Sequence, residues 1–395
     1  MQAKVPGLKR KIFIILSRVP YPLEKGDKLR AFYQLRELAT RHELIICAIS
    51  DIPPHPDSHK ILREFSDNIY YFRIRKADIF FRLLKALFSS KPFQVAYFHQ
   101  KSIQRKIEAL IERHRPNHVF CQLIRTAEYA RNVTIDKTID YQDVFSAGLQ
   151  RRLSVSPWYI RPLLLAEYKR VSRYERKVFD FFDKKTIISQ PDRDKIQHPR
   201  RDEIVIIPNG VDTSFFKPIV KEKRYDVVFT GNMAYPPNVN GAEYLVRQVM
   251  PLVWLQKPDA RVVIAGANPA QAVKALASPT VTITGWVDDI REYYASSKVF
   301  VAPMQIGTGL QNKVLEAMAM QLPCITSPLA NKALMAKEGS EILIGRNAGE
   351  YAQHILSLLS DSQRMEQLTS KGYRFVLQNF NWEMTTARLE KVITA

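Results

Sequence analysis

The sequence predicts an α/β chain folded as two Rossmann-like domains facing a cleft. Short β-branched runs alternate with segments whose apolar residues recur at helical spacing, the pattern of parallel sheets with crossover helices. The alternation occurs in two series, separated by a segment rich in Pro, Asn and Gly. The length of 395 residues suits two domains at roughly 150 residues each.

The first series opens with IFIIL (12–16), which reads as a buried strand. The start of the chain is basic and then briefly apolar. That run is too short for a signal-peptide core, and no small-residue cleavage site follows. DKLRAFYQLRELATRH (27–42) sets Leu29, Phe32, Leu35 and Leu38 at helical spacing, and ELIICAIS (43–50) is again a strand. Together they make a βαβ unit with a right-handed crossover. NIYYFRI (68–74), NHVFCQLI (117–124), DKTIDY (136–141) and KTIISQ (185–190) continue the series. The segment 203–218, with Pro208, Asn209, Gly210 and Pro218, reads as the interdomain connector. Beyond it YDVVFTG (225–231), ARVVIAG (260–266), VTITG (281–285) and KVFVAPM (298–304) are strands, and NKVLEAMAMQ (312–321) is helix-patterned. The boundaries expected are 1–203, 204–378 and a C-terminal helix, 379–395, crossing back to the first domain.

Hydrophobic residues make up 46% and charged residues 25%, which excludes collagen, coiled coil and wholesale disorder. No apolar run approaches the ~20 residues of a membrane-spanning helix. Cys47, Cys121 and Cys324 lie far apart in apolar surroundings, so a reducing, cytoplasmic setting is expected. The eight histidines show no metal-ligand spacing, so no metal site is expected. The net charge of +20 is uneven: residues 1–200 hold 39 Lys+Arg against 21 Asp+Glu, a net of +18, which leaves +2 for the rest. Such a half-molecule commonly meets an acidic ligand or an anionic surface. In IFFRLLKALFSSKPFQVAYF (79–98), Phe80, Leu83, Leu84 and Leu87 share a helical face beside Arg82, Lys85 and Lys91. The segment 159–182 mixes aromatics with six basic residues. Both fit a basic amphipathic helix on an anionic membrane, or a core helix with a solvated face. The usual nucleic-acid-binding signatures are missing, so no nucleic-acid partner is expected.

Chemistry concentrates in VFVAPMQIGTGLQNKVLEAMAMQLPCITS (299–327). A strand runs into a loop with Gly307 and Gly309, and a helix starts near 310–312. Glycines admit close backbone approach, and a helix N-terminus presents unpaired N–H groups to an anion. Lys313 in the first turn opposes the helix dipole, which a bound anion would compensate. Glu316, one turn on, suits vicinal hydroxyls. The plainer alternative is a tight turn with a solvated Lys and Glu. In the first domain, PYPLEKGDKLRAF (20–32) holds Gly26 but no G-x-G-x-x-G, so a dinucleotide site is not expected. Gly26, Asp27 and Lys28 are candidates to touch phosphate or acceptor, with Asp27 as a helix N-cap the alternative. Asp143, just past a strand, is a candidate to orient an acceptor hydroxyl or take its proton, and Arg125 has a similar placement.

The stretch 299–327 resembles the donor-binding motif of the retaining group-one glycosyltransferases with the GT-B fold. The match lies in a proline-ended strand, a glycine loop and LEAMAMQLPCITS (315–327). The resemblance extends over IPNGVDTSFF (207–216), FTGNMAYPPNVNGAEYLV (229–246), the base-framing TGWVDDIREYYASSKVFVAP (284–303) and NFNWEMTTARLEKVI (379–393). The segments 18–39 and 139–148 look like a branch associated with exopolysaccharide assembly. The resemblance implies donor contacts from Gly26, Asn232, Val287, Gly307, Thr308, Gly309, Leu310, Gln311, Asn312, Lys313 and Glu316. Acceptor contacts are expected from Asp27, Lys28, Arg125 and Asp143 by their placement, with Asp143 and Lys313 catalytic; the alternative for Asp143 is a cap just past its strand.

Two departures stand out. The family's first glutamate is replaced by Thr308, and its Arg and Lys after the first nucleotide-domain strand are replaced by a loop offering Asn232, Asn238 and Asn240. Lys313, the helix end and first-domain cations such as Arg18, Lys25 and Lys28 must then neutralise phosphate. The implied activity is transfer of a hexose from a nucleotide diphosphate sugar to a glycan or lipid-linked glycan, without a cofactor, in the cytoplasm or on the inner membrane face. The alternatives are a GT-B epimerase or phosphorylase, and a catalytically inactive protein binding glycan or anionic lipid.

Overall fold

The structure is a computed structural model that describes residues 9–74, 76–306 and 309–395. The chain forms two units. The first reaches to Pro208 and includes Thr385–Ala395, and the second is Asn209–Met384. The first division falls inside the connector read from sequence, at 208/209 rather than 203/204. The return to the first unit falls within the last helix, Trp382–Thr394, rather than before it.

The first unit holds a seven-stranded parallel sheet of β1 (Lys11–Leu16), β2 (Glu43–Ser50), β3 (Asn68–Arg73), β4 (His118–Gln122), β5 (Lys137–Asp140), β6 (Lys184–Ile187) and β7 (Val205–Ile206). Its order is 3-2-1-4-5-6-7, the doubly wound arrangement in which order reverses beside β1. Both faces are buried, so the strands read as continuous apolar runs rather than as alternation. Ile12, Ile14 and Leu16 pack with Ala31, Leu35 and Leu38 of the helix Gly26–Ala39, and with Leu389 and Ile393 of the last helix. Phe13 and Ile15 pack on the opposite side with Ile103, Ile107 and Ile111 of the helix Lys101–His114. Arg41 and His42 bind the carboxylate of Glu390 at 2.8 and 3.0 Å, fixing the last helix in this unit.

The second unit holds a six-stranded parallel sheet of β8 (Tyr225–Thr230), β9 (Val262–Ala265), β10 (Val281–Ile283), β11 (Ser297–Ala302), β12 (Cys324–Thr326) and β13 (Leu343–Ile344), ordered 10-9-8-11-12-13. At its edge the connector and the chain leaving the unit meet. Val211 N–H donates to Phe380 O at 2.6 Å, and a Cβ on Gly210 would lie 2.6 Å from the Trp382 nitrogen. The two-residue strands β7 and β13 are too short to show any sequence period.

The segment 79–98 is two helices, Lys76–Leu87 and Phe93–Phe98. Its apolar residues are divided between inside and outside. Phe80, Leu84 and Leu87 are exposed, while Leu83 lines a pocket of the first unit. The four therefore do not make one core-facing stripe. The residue at the stripe's edge turns inward beside Ile79 and the buried Ala86, and the rest face outward. Among the described residues no helix is long and apolar enough to cross a membrane. Cys47, Cys121 and Cys324 are buried free thiols.

Candidate functional site

In a parallel sheet the strand carboxyl ends are where backbone groups and helix N-termini converge. In the second unit β8 and β9 run directly into glycine, and β10 reaches Gly285 after Thr284. Gly231 has φ +150° and Gly266 φ +141°, backbone positions that favour glycine. A Cβ on Gly266 would sit 1.9 Å from the Gly231 carbonyl oxygen, so these two strand ends touch through bare backbone. A Cβ on Gly231 would meet the Asn238 amide at 2.7 Å and the Lys313 ammonium at 3.2 Å.

Lys313 lies in the first turn of the helix Asn312–Ala319, with Gln311 at its N-cap making no side-chain capping bond. Its ammonium donates to Asn238 Oδ1, lies 3.9 Å from Met304 Sδ and sits over the Phe229 ring at 4.8 Å from the centroid. Among the described residues no carboxylate lies within 4.0 Å of it. Burial lowers its pKa to about 7, opposed in part by the Glu316 charge. The side chain keeps some contact with solvent, so a ligand can reach it.

Glu316 accepts the Tyr294 hydroxyl at 2.9 Å, and that hydroxyl lies 2.8 Å from Thr230 Oγ1. Burial raises the Glu316 pKa, while the Tyr294 bond and Lys313 pull it down. Leu310, Gln311 and Asn312 flank the same helix start, and Gln311 Nε2 donates to Gly309 O at 3.3 Å. Asn312 Oδ1 takes a bond from Asn209 Nδ2 at 3.4 Å. Gly309 has φ +102°, and Gly307 and Thr308 lie outside the described residues. Val287 follows Gly285, the glycine after β10, whose carbonyl accepts Gly266 N–H at 3.2 Å.

Asn238 and Asn240 are not on a loop. They belong to the helix Pro236–Tyr244, because the two prolines suit a helix's first turn. Asn232 remains in the loop, exposed, and its carbonyl accepts Asn238 Nδ2 at 2.9 Å. Asn238 thus joins the loop to Lys313. Thr230, Gly231 and Tyr294 lie inside the recognised motifs, but spacing alone assigns them no role. The signal was present in a strand-ending T-G and an aromatic helix before β11.

In the first unit, Gly26 is exposed and a Cβ there meets nothing within 4 Å. Asp27 does not cap its helix. Lys25 occupies the N-cap, and the Asp27 carboxylate pairs with Arg18 instead. Lys28 is buried and bound to Glu24 at 2.9 Å, so its charge is met within the chain. Beneath them Arg30 and Asp140, both fully buried, pair at 2.6 and 3.2 Å, and Thr186 Oγ1 donates to Asp140 at 3.0 Å.

Arg125 is half-buried. Its Nε and Nη2 donate to Gln94 Oε1 at 3.1 Å each, and its guanidinium lies over Phe98 and Phe145. Burial lowers its pKa to about 10, Arg18 adds repulsion, and Asp27, Asp51 and Asp143 oppose. Asp143 precedes the helix Phe145–Val155. Crowding by protein raises its carboxyl to about 6, with repulsion from Asp192 and Asp27 added. Its side chain is exposed, so water screening tempers that rise. A separate groove of about 590 Å³ in the second unit, bordered by Leu252, Leu255 and Lys257, shares no residue with the Lys313 cluster.

Among known proteins, residues 224–361 match the family described as Glycosyl transferases group 1. A 44.6 kDa protein of the cps region of Klebsiella pneumoniae is 22% identical, covering 94% of this chain and 96% of its own length. The Escherichia coli UDP-Gal:alpha-D-GlcNAc-diphosphoundecaprenol alpha-1,3-galactosyltransferase is 26% identical over 45% of this chain and 51% of its own. Among solved structures, sucrose-phosphate synthase from Thermosynechococcus elongatus superposes with a TM-score of 0.67 at 15% identity, covering 97% of this chain and 98% of that one. HepE of Anabaena, solved with UDP-glucose, gives 0.67 at 13% identity, with 98% and 99% covered. These likenesses show the GT-B fold.

Proposed function

We propose that this chain is a glycosyltransferase of the group 1 kind that residues 224–361 match, and that it moves a hexose from a nucleotide diphosphate sugar to a glycan or lipid-linked glycan. In this reading transfer proceeds with retention, in cell-surface polysaccharide biosynthesis, at the inner membrane face and with no cofactor besides the sugar nucleotide. The observation that carries it is Lys313: a desolvated ammonium at a helix start, held by an amide rather than a carboxylate. A desolvated ammonium with no carboxylate in direct contact, offset only by the more distant Glu316, is costly, and a diphosphate supplies the missing direct charge. The cps-region relative and the lipid-linked galactosyltransferase support the polysaccharide setting.

When the glycosidic bond to phosphate breaks, negative charge grows on the departing diphosphate. Lys313 and the helix N–H groups stabilise that charge without reorganising. Glu316, oriented by Tyr294, is placed to accept hydroxyl donors of the nucleotide's ribose. Asp143, its carboxyl shifted upward by the protein around it, suits orientation of an acceptor hydroxyl or removal of its proton.

The test is a thermal-shift screen against UDP-, GDP- and ADP-sugars, since a ligand that binds the folded state alone raises its stability. At least one should raise the Tm. Lys313→Ala should then weaken nucleotide diphosphate binding about 10–100-fold and leave nucleoside binding nearly unchanged, through loss of a charge-assisted contact. Failure of every nucleotide sugar to stabilise the protein overturns the reading. Stabilisation without nucleotide release in any acceptor mixture assigns the protein to the inactive alternative.

A further inference from the structure

Arg125 resembles Lys313 in having no counter-ion. Among the described residues no carboxylate lies within 4.0 Å of its guanidinium, which rests on two aromatic rings and on the Gln94 amide oxygen. It lines a pocket of about 370 Å³ together with Arg18, Asp51 and Leu83. The acidic groups nearby are already engaged. Asp51 accepts the Tyr97 hydroxyl at 2.6 Å, and Asp27 holds Arg18. The pocket therefore presents a guanidinium held by an amide and two rings, with Asp51 as a more distant charge rather than a direct partner.

Its wall continues into an apolar ridge. Leu83 belongs to the helix Lys76–Leu87, whose Phe80, Phe81, Leu84 and Leu87 are 45–67% exposed, and the following Phe88 is 89% exposed. Arg170 ties the end of this helix, at the carbonyls of Ala86 and Leu87, to the helix Arg161–Phe181. Trp158 and Tyr159 before that second helix, and Leu163 in its first turn, are exposed as well. Large exposed apolar side chains grouped on one helix mark an interaction site. Lys85 and Arg161 stand exposed along it, so its charge complements an anionic amphiphile.

We propose that the Arg125 pocket binds the phosphate or diphosphate of an amphiphile whose hydrocarbon lies along this ridge. The proposal rests on the lipid-linked form of the acceptor reading above and gives it a recognition element. Arg125 meets the phosphoryl oxygens, because a guanidinium matches their geometry in a bidentate way. The chain leaving the phosphate passes Leu83 and reaches Phe80, Phe81 and Leu84. The ridge selects for the hydrocarbon and the pocket for the anion.

The probe is farnesyl diphosphate, with inorganic pyrophosphate and phosphatidylglycerol vesicles as separate arms, measured with the full chain. Farnesyl diphosphate should bind the wild type at least tenfold more tightly than pyrophosphate. Arg125→Gln should weaken both at least tenfold. The pair Phe81→Ser and Leu84→Ser should weaken farnesyl diphosphate alone. Equal binding of farnesyl diphosphate by wild type and Arg125→Gln overturns the proposal, as does no binding by the wild type. Vesicle binding that ignores Arg125 while farnesyl diphosphate fails to bind leaves a bilayer surface without a phosphoryl pocket, and also overturns it.

Because Arg125→Gln can lose its fold, a photoreactive prenyl diphosphate on the wild type gives a second reading. Its cross-links should map to 76–98 and 158–165, and cross-links elsewhere count against the site. Binding of nucleotide sugar is measured in parallel. If the donor binds and Arg125 has no effect, this inference fails and the donor reading stands. If farnesyl diphosphate binds and no donor does, the reverse holds.

Discussion

The two units treat a buried cation in opposite ways. In the first, Arg30 is fully buried against Asp140, and Thr186 completes the carboxylate's bonds. In the second, Lys313 is desolvated against an amide, a thioether and a ring. Both cations approach the carboxyl end of a parallel sheet. The first is satisfied by a carboxylate within the chain, whereas the second has an amide in that place, which is why the proposed function gives it a diphosphate. Arg125 belongs with Lys313 although it lies in the first unit, so the distinction follows the site rather than the domain.

The largest effect that separates the two kinds is on stability. Asp140→Ala removes the buried carboxylate that binds Arg30 at 2.6 and 3.2 Å, and should cost about 3–5 kcal/mol in chemical denaturation. Lys313→Ala should leave the denaturation midpoint near or above that of the wild type. A loss comparable to that of Asp140→Ala would make Lys313 a structural residue.

Next comes Gly231→Ala. Its Cβ would press on Asn238, whose amide is held by Asn232, and it needs a backbone angle that suits glycine. The expected cost is about 1–3 kcal/mol, together with weaker donor binding. Unchanged stability and donor affinity would show that the strand end tolerates a side chain and that Lys313 does not depend on it.

Proton linkage gives a subtler measurement. With its pKa lowered to about 7, Lys313 in the folded protein binds fewer protons than the unfolded chain between pH 7 and the ordinary lysine value. This group's contribution to stability therefore rises with pH across that window. A diphosphate favours the charged ammonium and raises its pKa. Donor affinity should be flat below pH 7 and fall as pH rises above it. Calorimetry at pH 8 in two buffers of different ionisation enthalpy should show proton uptake on binding, and no uptake would place the phosphate away from Lys313.

The smallest effect concerns the surface. Exposed Lys85 and Arg161 should each contribute roughly 1 kcal/mol to binding anionic vesicles at low salt. Co-sedimentation should weaken about fivefold on replacing either with Gln, and vanish as salt rises. Binding to neutral vesicles of equal strength would assign the ridge to hydrophobic contact alone.

Much of this was legible in the residues. Strands such as 12–16 and 43–50 declare themselves because a parallel sheet is buried on both faces and needs unbroken β-branched runs. The placement of Lys313 and Glu316 on one helix start follows from local spacing. What spacing cannot carry is the partner across the sheet. Asn238 reaches Lys313 over 75 residues, and Tyr294 reaches Glu316 over 22. Each bond depends on which strands become neighbours. The segment 79–98 shows the same limit. An apolar stripe names residues sharing a face, but whether that face meets the core or solvent is settled by the neighbouring elements, here in both ways at once.

The hydrogen bond from Val211 to Phe380 has a consequence of another kind. The chain enters and leaves the second unit through adjacent residues, so 209–384 is an insertion whose ends are already joined by the fold. A segment with that topology can be lifted out, exchanged for a counterpart or given new termini in an outer loop without any gap to bridge. Recombination between related chains at these two points would exchange the proposed donor site as one block and leave the first unit's sequence intact.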